Sequence, residues 1–228
     1  MIDEAPILTI AKSFERPPAE LVDALAGMLT SQIVDAMGGS GALDWRIKPI
    51  VPGQDRFFGV ARTSDCGPCD NLAMLASIAD CKPGDVVVTT TAGYEKAAVT
   101  GDLALGMARN QGVVGFVTDG MVRDLDGIRD MGVPCFARGL TPNSPARSGP
   151  GTVDLPIVMG EVVVQSGDVV VGDPDGVVIV PRARLKEVVA ALKDVREVEA
   201  ATLKKVQDGL KLFPFMEELL ASQRVRRV

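Results

Sequence analysis

The sequence predicts an α/β fold in which a sheet of mostly buried strands carries helices on its faces. Two observations support this prediction. Between about residues 57 and 138, short runs rich in Val, Thr and Phe alternate with runs of helical periodicity, a pattern typical of successive βαβ units. Hydrophobic residues make up 46% of the 228 residues and aromatic residues only 4%, so the core is expected to consist mainly of Val, Leu, Ala and Ile.

Two short helices are predicted before the alternating region. The first covers about residues 17–29 and begins at two consecutive prolines, which suit the first turn of a helix. The second is predicted to be capped by Thr30 or Ser31, to continue through Met37 and to end at a run of glycines. Residues 43–56 show no periodicity and are predicted to be irregular.

The alternating region supplies strands and helices in turn. Its predicted strands cover residues 57–63, 85–90, 113–117 and 133–138. Its predicted helices cover residues 71–79, 100–110 and 125–131, and Asp70 is expected to cap the first of them. The result is a sheet with a helix after most of its strands.

The pattern changes after a loop rich in Pro, Gly and Ser at residues 141–152. Short Val-rich strands follow at residues 162–164, 168–171 and 176–180, and tight turns join them. They are predicted to form a β-meander packed on the first sheet. A long helix is then predicted from Pro181 to about Asp208, and a last helix over about residues 214–222.

We expect the whole chain, residues 1–228, to form one domain. An α/β core would cover about residues 17–180, and a C-terminal helical extension would cover residues 181–228.

The chain contains no histidine. This excludes Ser-His-Asp and Cys-His nucleophile systems, zinc sites with histidine ligands, facial-triad iron sites and acid–base catalysis by histidine. Any enzymatic chemistry must therefore use carboxylates, Lys, Arg, Tyr, Cys, a bound metal or water.

Charge and targeting signals limit the partners. The formal net charge is −6, which argues against a general nucleic-acid-binding protein. The acidic N-terminus does not match a signal peptide, and no apolar run approaches the length of a membrane span. A cytoplasmic protein without a membrane partner is predicted. Its cysteines, Cys66, Cys69, Cys81 and Cys135, are then expected to be reduced thiols.

The motif Cys66-Gly67-Pro68-Cys69 is the dithiol sequence of thioredoxins. It lies between a predicted strand and a predicted helix, where a helix N-terminus can lower a thiol pKa. Thioredoxin-like domains are short overall, whereas this motif lies within a chain of 228 residues. We therefore interpret the motif as a turn followed by a capped helix, and a dithiol oxidoreductase as the less favoured alternative.

A second motif combines short acids with an adjacent arginine. Asp102 follows Thr100-Gly101, and Arg123-Asp124 follows an apolar strand and a glycine turn. Acids at strand ends beside a cation can hold a divalent metal and an anionic substrate together, and such oxygen ligands suit Mg²⁺ or Mn²⁺. The structural alternative is a helix cap at Asp102 and a surface ion pair at Arg123-Asp124. Their predicted position at strand ends favours a functional site.

The segment Gly101-Asp102-Leu103-Ala104 has the same two interpretations. Asp and Gly before an apolar helical run usually form an N-cap. Free backbone N–H groups at a helix start also bind anions. This segment is therefore a candidate to hold a substrate carboxylate or carbonyl oxygen while Asp102 faces a metal.

Taken together, these residues resemble the RraA-like superfamily. The resemblance covers about residues 20–200. It rests on Gly101-Asp102, its spacing to Arg123-Asp124, the segment 127–134 and the segment 167–177. Within that superfamily the chain resembles the 4-hydroxy-4-methyl-2-oxoglutarate/4-carboxy-4-hydroxy-2-oxoadipate aldolases.

The resemblance implies both a fold and an activity. The fold would be an αββα sandwich of the swivelling β/β/α type with C-terminal helices, assembled as a homotrimer or a hexamer. The activity would be that of a class II aldolase, a lyase that needs Mg²⁺ or Mn²⁺. It would release pyruvate from small 2-oxo acids through a metal-stabilised enolate, with oxaloacetate decarboxylation as a companion activity.

The resemblance also assigns roles by position. Asp124 would bind the metal directly, and Asp102 directly or through water. Arg123 would bind the pyruvyl carboxylate or the leaving oxygen, and the Leu103 and Ala104 amides would contact the same group. An acid from the C-terminal region of a neighbouring subunit, Glu199 or Glu197, would approach the metal.

A second function stays open on the same fold. The ribonuclease-regulating members of the superfamily bind a protein partner and perform no chemistry, and they tend to lack the acid after the arginine. Asp124 is present in this chain, so the sequence favours the enzyme.

Overall fold

The structure is a computed structural model that describes residues 6–228. In that part of the chain the strands are β1 (Leu8–Ile10), β2 (Lys48–Pro49), β3 (Phe57–Asp65), β4 (Asp85–Thr90), β5 (Ala98–Thr100), β6 (Gly115–Thr118), β7 (Met121–Val122), β8 (Cys135–Ala137), β9 (Gly139–Leu140), β10 (Gly151–Val153), β11 (Ile157–Met159), β12 (Val162–Val164), β13 (Val169–Asp173) and β14 (Gly176–Val180). The helices are α1 (Ala19–Asp23), α2 (Thr30–Ala36), α3 (Leu72–Ala79), α4 (Asp102–Asn110), α5 (Leu125–Met131), α6 (Leu185–Gln207) and α7 (Pro214–Ala221).

The main sheet has nine strands and is built around four parallel ones, β3, β4, β6 and β8. The long strand β3 divides its other edge between two partners. Its first half pairs with β13 and its last residues pair with β10, both antiparallel. Strand β14 extends the sheet by pairing with β13. The mixed α/β fold and the C-terminal helices confirm the predicted fold class.

A small sheet is formed by three parallel strands, β5, β7 and β9. Each comes shortly after a parallel strand of the main sheet: β5 follows β4, β7 follows β6, and β9 follows β8. The chain therefore leaves the carboxyl end of a main-sheet strand and enters the small sheet before it turns into α4 or α5. This second set of strand ends carries the candidate site.

Three apolar clusters form the core. The first joins α3, α4 and α5 to one face of the main sheet through residues such as Met74, Leu105 and Phe116. The second lies on the opposite face, where the rings of Phe57 and Phe136 meet edge to face with centroids 5.2 Å apart. The third joins α1, α2 and the first half of α6 to the β13–β14 hairpin. Burying each large apolar side chain contributes about 1.5–3 kcal/mol, so the clusters fix the helices on the sheet.

Most predicted elements are present, and several have the predicted bounds. Helix α5 and strands β12 and β14 begin and end at the predicted residues. The predicted helix at residues 17–29 is wrong in length, because α1 ends at Asp23 and the chain continues in turns to Gly27, which has φ +71°. The two-residue strand β2 lies within the segment predicted to be irregular.

The predicted β-meander is wrong in its pairing. Strand β12 pairs with β11, which the sequence did not reveal, in a separate two-stranded sheet. Only β13 and β14 form the predicted hairpin, and it joins the main sheet edge to edge through β3 instead of packing on its face. Among the described residues, no helix is both long enough and apolar enough to span a membrane.

Candidate functional site

The candidate site lies at the carboxyl ends of β5 and β7. These neighbouring strands are parallel, with Thr100 paired to Val122, and the Arg123 amide donates to the Thr100 carbonyl at 3.1 Å. After Thr100 the chain passes Gly101 and begins α4 at Asp102, and after Val122 it passes Arg123 and Asp124 and begins α5. The structure therefore brings together the residues that the sequence singled out, although they are far apart in the chain.

Two glycines give the carboxylates their space. A Cβ atom on Gly101 would lie closer than 3.0 Å to an oxygen of Asp124, and a Cβ atom on Gly127 would lie equally close to the carboxylate of Asp102. Real Cβ atoms do not approach so closely. The starts of α4 and α5 interlock in this way, because each helix start presents a glycine to the acid of the other.

Arg123 lies between two partners. Its Nε is 3.2 Å from Oδ2 of Asp124, and its Nη1 donates to the hydroxyl of Ser144. The Arg123 side chain is 34% exposed and that of Asp124 is 43% exposed, so both are accessible to a ligand. Asp124 also has left-handed backbone angles, φ 63° and ψ 50°, which Asp tolerates better than most residues. Such conformations concentrate at functional sites.

The first turn of α4 provides backbone donors. The first bond within the helix runs from the Leu105 amide to the Gly101 carbonyl, so the preceding amides have no partner inside the helix. The Leu103 amide donates to Oδ1 of Asp102 at 2.7 Å. The Leu103 amide therefore stabilises the carboxylate of Asp102 and does not point into solvent. The side chain of the same residue is 79% exposed.

The donor set fits a hard divalent cation but does not complete its shell. Asp102 and Asp124 offer carboxylate oxygens of the kind that Mg²⁺ and Mn²⁺ prefer, and Gly101 and Gly127 leave room for them. Within residues 6–228, no group of three or more Cys, Asp or Glu side chains is arranged to hold a metal. For such a cation, the remaining ligands would come from substrate, water or a residue of another chain.

Glu199 lies elsewhere in its own chain. It is on the exposed second half of α6, where its Oε2 accepts a hydrogen bond from the Gln32 side chain at 2.6 Å. That surface belongs to α2 and α6, not to the strands that carry Asp102 and Asp124. Its approach to the site of a neighbouring subunit stays a prediction.

Arg123 and Asp124 are partly exposed on the single chain. A cavity of about 660 Å³ lies instead at the opposite ends of α4 and α5, where Arg109 and Met131 line it together with apolar residues. The chemistry of the acids and Arg123 identifies the candidate site better than cavity size does, because that cavity is lined mainly by apolar groups.

The cysteine motif forms a turn and a helix start, as the structural interpretation predicted. Cys66 is only 2% exposed, and burial raises the pKa of its thiol to about 12. Its sulfur accepts a hydrogen bond from the Met74 amide at 3.3 Å. A dithiol nucleophile needs a lowered thiol pKa, so the environment of Cys66 opposes the oxidoreductase alternative. Asp70 Oδ1 accepts from the Leu72 amide at 2.8 Å at the start of α3.

The sequence did not reveal Ser144. It lies in the loop rich in Pro, Gly and Ser before β10 and is exposed. Only its contact with Arg123 distinguishes it from the other polar residues of that loop. No spacing or periodicity predicts such a contact, because it depends on how the loop folds back over β5 and β7.

The RraA-like family, described as Aldolase/RraA, matches residues 30–179. A protein of Halalkalibacterium halodurans named "Putative 4-hydroxy-4-methyl-2-oxoglutarate aldolase" is 35% identical over 181 residues, which are 79% of this chain and 86% of that protein.

Two solved structures share the fold at somewhat lower identity. A crystal structure of an uncharacterized protein from Pseudomonas syringae pv. tomato has a TM-score of 0.76 and 27% identity, and covers 87% of this chain and 97% of its own. RraAS2 of Streptomyces coelicolor, described as an unusual member of the RNase ES inhibitor RraA protein family, has a TM-score of 0.74 and 28% identity. Its match covers 83% of this chain and 100% of its own.

Proposed function

The chain belongs to the RraA-like family, and on that premise we propose that it is a divalent-metal-dependent lyase that releases pyruvate from small 2-oxo acids. The observation that carries the proposal is the meeting of Asp102, Arg123 and Asp124 at adjoining strand ends. The named relative from Halalkalibacterium halodurans supports an aldol cleavage as the reaction.

Each residue has a chemical role in this proposal. Arg123 binds the substrate carboxylate or the leaving oxygen through its planar guanidinium, a group suited to two parallel hydrogen bonds. The Leu103 amide is bonded to Asp102, so the Ala104 amide is the backbone donor at the start of α4 that this proposal keeps for the same group. Asp102 and Asp124 would hold Mg²⁺ or Mn²⁺, and such an ion would supply a Lewis acid for the substrate carbonyl.

Proton transfer requires a group other than histidine, because the chain has none. A water molecule oriented by the carboxylates of Asp102 and Asp124 is the proton acceptor that the residues allow. Loss of the proton from the C4 hydroxyl lets the C3–C4 bond break, so that C4 becomes the carbonyl carbon of one product and the electron pair of the broken bond forms the enolate of pyruvate. Loss of CO₂ from oxaloacetate leaves the same enolate, so oxaloacetate decarboxylation is the expected companion activity.

The active unit in this proposal is a homotrimer or a hexamer. Asp102 and Asp124 leave the metal shell incomplete, and Glu199 or Glu197 of a neighbouring subunit would complete it. Large apolar side chains on α6 and α7 support an intersubunit contact, since Val198, Leu203 and Phe215 are at least 55% exposed. A closed ring is the usual result of a repeated head-to-tail contact.

Light scattering combined with two variants tests this assembly. The account expects a trimer or a multiple of it, and a loss of activity in Glu199→Gln or Glu197→Gln. A fully active monomer would refute the shared site. A trimer in which both variants keep full activity would leave the assembly in place but remove the acid from the neighbouring subunit.

A noncatalytic regulator that binds a protein partner is the alternative function. The similarity to the Streptomyces coelicolor RraA protein supports it. One experiment separates the two functions: pyruvate release from oxaloacetate and from 4-carboxy-4-hydroxy-2-oxoadipate, measured with Mg²⁺ and with EDTA. The lyase proposal expects turnover with Mg²⁺ and none with EDTA. The absence of pyruvate release from both substrates favours the regulator.

A further inference from the structure

We propose that Ser144 is a positioning residue for Arg123, and that the turn at the cysteine motif holds the loop that carries it. The inference rests on the proposed function for its consequence in catalysis, but its structural part concerns only residues of this chain. It assigns a role to the Cys66-Gly67-Pro68-Cys69 motif that involves no redox chemistry.

Two contacts hold the guanidinium of Arg123. Asp124 Oδ2 contacts its Nε at 3.2 Å, and the Ser144 hydroxyl accepts from its Nη1. These contacts hold the planar group at two different nitrogens and so fix both its position and its rotation. A half-exposed arginine without them keeps much of its rotamer freedom, which costs free energy when a ligand orders it. Ser144 therefore preorganises the group that binds the carboxylate.

Hydrogen bonds hold the loop on both sides of Ser144. On one side, the Asn143 carbonyl accepts from the Ala98 amide at 2.9 Å, and the Asn143 side chain donates to the Lys96 carbonyl at 2.9 Å. These bonds tie the loop to the start of β5. They lie directly before Ser144, so the serine has little freedom to move away from Arg123.

On the other side the loop is bound to the cysteine motif. The Ala146 amide donates to the Cys69 carbonyl at 2.7 Å, and the Asn71 amide donates to the Ala146 carbonyl at 3.1 Å. Cys69 has φ +61°, a left-handed conformation that is uncommon for a residue with a side chain. The turn thus presents the Cys69 carbonyl to the loop, and this contact connects the cysteine motif to the loop that carries Ser144.

Asp70 completes a set of hydrogen bonds, called the clamp below, that joins the cysteine turn to the loop. One of its carboxylate oxygens accepts from the amides of Ser148 and Gly149 at 2.6 and 3.1 Å, and the other accepts from Leu72 at 2.8 Å. Burial opposes ionisation of Asp70, but these backbone donors outweigh it and lower its pKa. The carboxyl group of Asp70 is therefore ionised at neutral pH, and its hydrogen bonds join the loop to the start of α3.

The test compares Ser144→Ala with a matched control in the same loop, Ser148→Ala. The backbone amide of Ser148 binds Asp70, while its hydroxyl makes no hydrogen bond among the described residues, so the control removes the same atom without a predicted contact. We expect Ser144→Ala to lower kcat/KM roughly tenfold or more, from the loss of a hydrogen bond to a charged group. Ser144→Thr, which keeps the hydroxyl, should restore most of it, and Ser148→Ala should match the parent protein.

A second measurement does not depend on activity. The ¹⁵N signals of the Arg123 Nη1 and Nη2 groups report how fast these groups exchange, both with each other by rotation of the guanidinium and with water. Exchange should be faster in Ser144→Ala than in Ser148→Ala or the parent protein. Equal exchange in all three proteins overturns the positioning role, whether or not the protein releases pyruvate. If the parent protein releases no pyruvate, the proposed function fails while this measurement still decides the role of Ser144.

Asp70→Asn tests the clamp separately. It should accelerate amide hydrogen exchange at Ser148 and Gly149, and lower kcat/KM in the same direction as Ser144→Ala. Faster amide exchange with unchanged kcat/KM and unchanged exchange of the Arg123 Nη groups would overturn the link between the cysteine turn and Arg123. A loss of activity in Ser148→Ala equal to that in Ser144→Ala would overturn the specific role of the Ser144 hydroxyl.

Discussion

Two Arg–Asp pairs in this chain have the same chemistry and opposite surroundings. Arg62 and Asp154 lie side by side with side chains only 5% and 4% exposed, whereas Arg123 and Asp124 are 34% and 43% exposed. Asp154 is also bound by the Ser166 hydroxyl at 2.8 Å, so the buried pair has further internal partners. The difference shows that exposure and unfilled hydrogen-bonding capacity, not residue type, separate a candidate site from a structural ion pair.

The same contrast explains why each pair is tolerated. Removing two charges from water is costly, and only the dense internal bonding at Arg62 and Asp154 offsets that cost. Arg123 and Asp124 remain partly hydrated, and an exposed pair contributes little to stability, about 0–1 kcal/mol. Mutations should therefore affect stability at the first pair and activity at the second.

The largest effect is expected for Asp124→Ala. It removes a direct metal ligand, and the Lewis acid is worth several kcal/mol of barrier, so turnover should fall by roughly a thousandfold or more. The fold should remain intact because Asp124 is exposed. Pyruvate release and the melting temperature measure the two effects. Full activity with a normal metal requirement would remove Asp124 from the site.

Asp154→Ala should show the reverse pattern. It leaves the charge of Arg62 buried without its main partner, a change that typically costs about 3–5 kcal/mol. Urea unfolding measures the loss, and Asp126→Ala is the control, because Asp126 pairs with Arg129 at the surface. If both variants lose the same small amount of stability, the contrast between buried and exposed pairs is wrong.

Arg123→Lys sharpens the comparison by keeping the charge. The substitution loses the planar fork and the simultaneous contacts with Asp124 and Ser144. We expect kcat/KM to fall roughly ten- to a hundredfold, the equivalent of one hydrogen bond to a charged group. Metal affinity should change much less. Unchanged kinetics would make Arg123 a surface ion-pair residue only.

The smallest effect is expected for the double variant Cys66→Ser/Cys69→Ser. Activity should stay within about twofold, since the clamp uses the Cys69 carbonyl and not its sulfur. The parent protein should not reduce insulin. Because burial raises the pKa of the Cys66 thiol to about 12, its alkylation near pH 8 should be slow. Rapid alkylation of Cys66 together with a thioredoxin-like potential would reverse the assignment.

The sequence predicted the elements with strong local signals. Helix α5 has the predicted bounds because Gly132, with φ +72°, ends it where a left-handed residue is required. Strands β5, β7 and β9 have only two or three residues, which is too short for any periodicity to show. The pairing of β12 with β11 was missed because pairing between distant segments is not a local property.

In the candidate site, too, some residues could be predicted from the sequence and others could not. Asp102, Arg123 and Asp124 were found because they lie in recognisable motifs at predicted strand ends, and the structure places them together. Gly127 was noted only as part of the segment 127–134, and Ser144 was not found, since their roles arise from contacts between α4, α5 and the loop before β10. Motifs identify residues that carry chemistry, whereas the residues that position them emerge only from tertiary contacts.

Binding of a divalent cation tests the central claim most directly. Mn²⁺ can be titrated into the parent protein, Asp124→Ala and Asp126→Ala, and the bound fraction measured by electron paramagnetic resonance. Asp126 is the matched control because it lies on the same helix, α5, with a side chain 93% exposed. The account predicts saturable binding in the parent protein and in Asp126→Ala, and its loss in Asp124→Ala. Equal binding by all three proteins, or none by the parent protein, would contradict it.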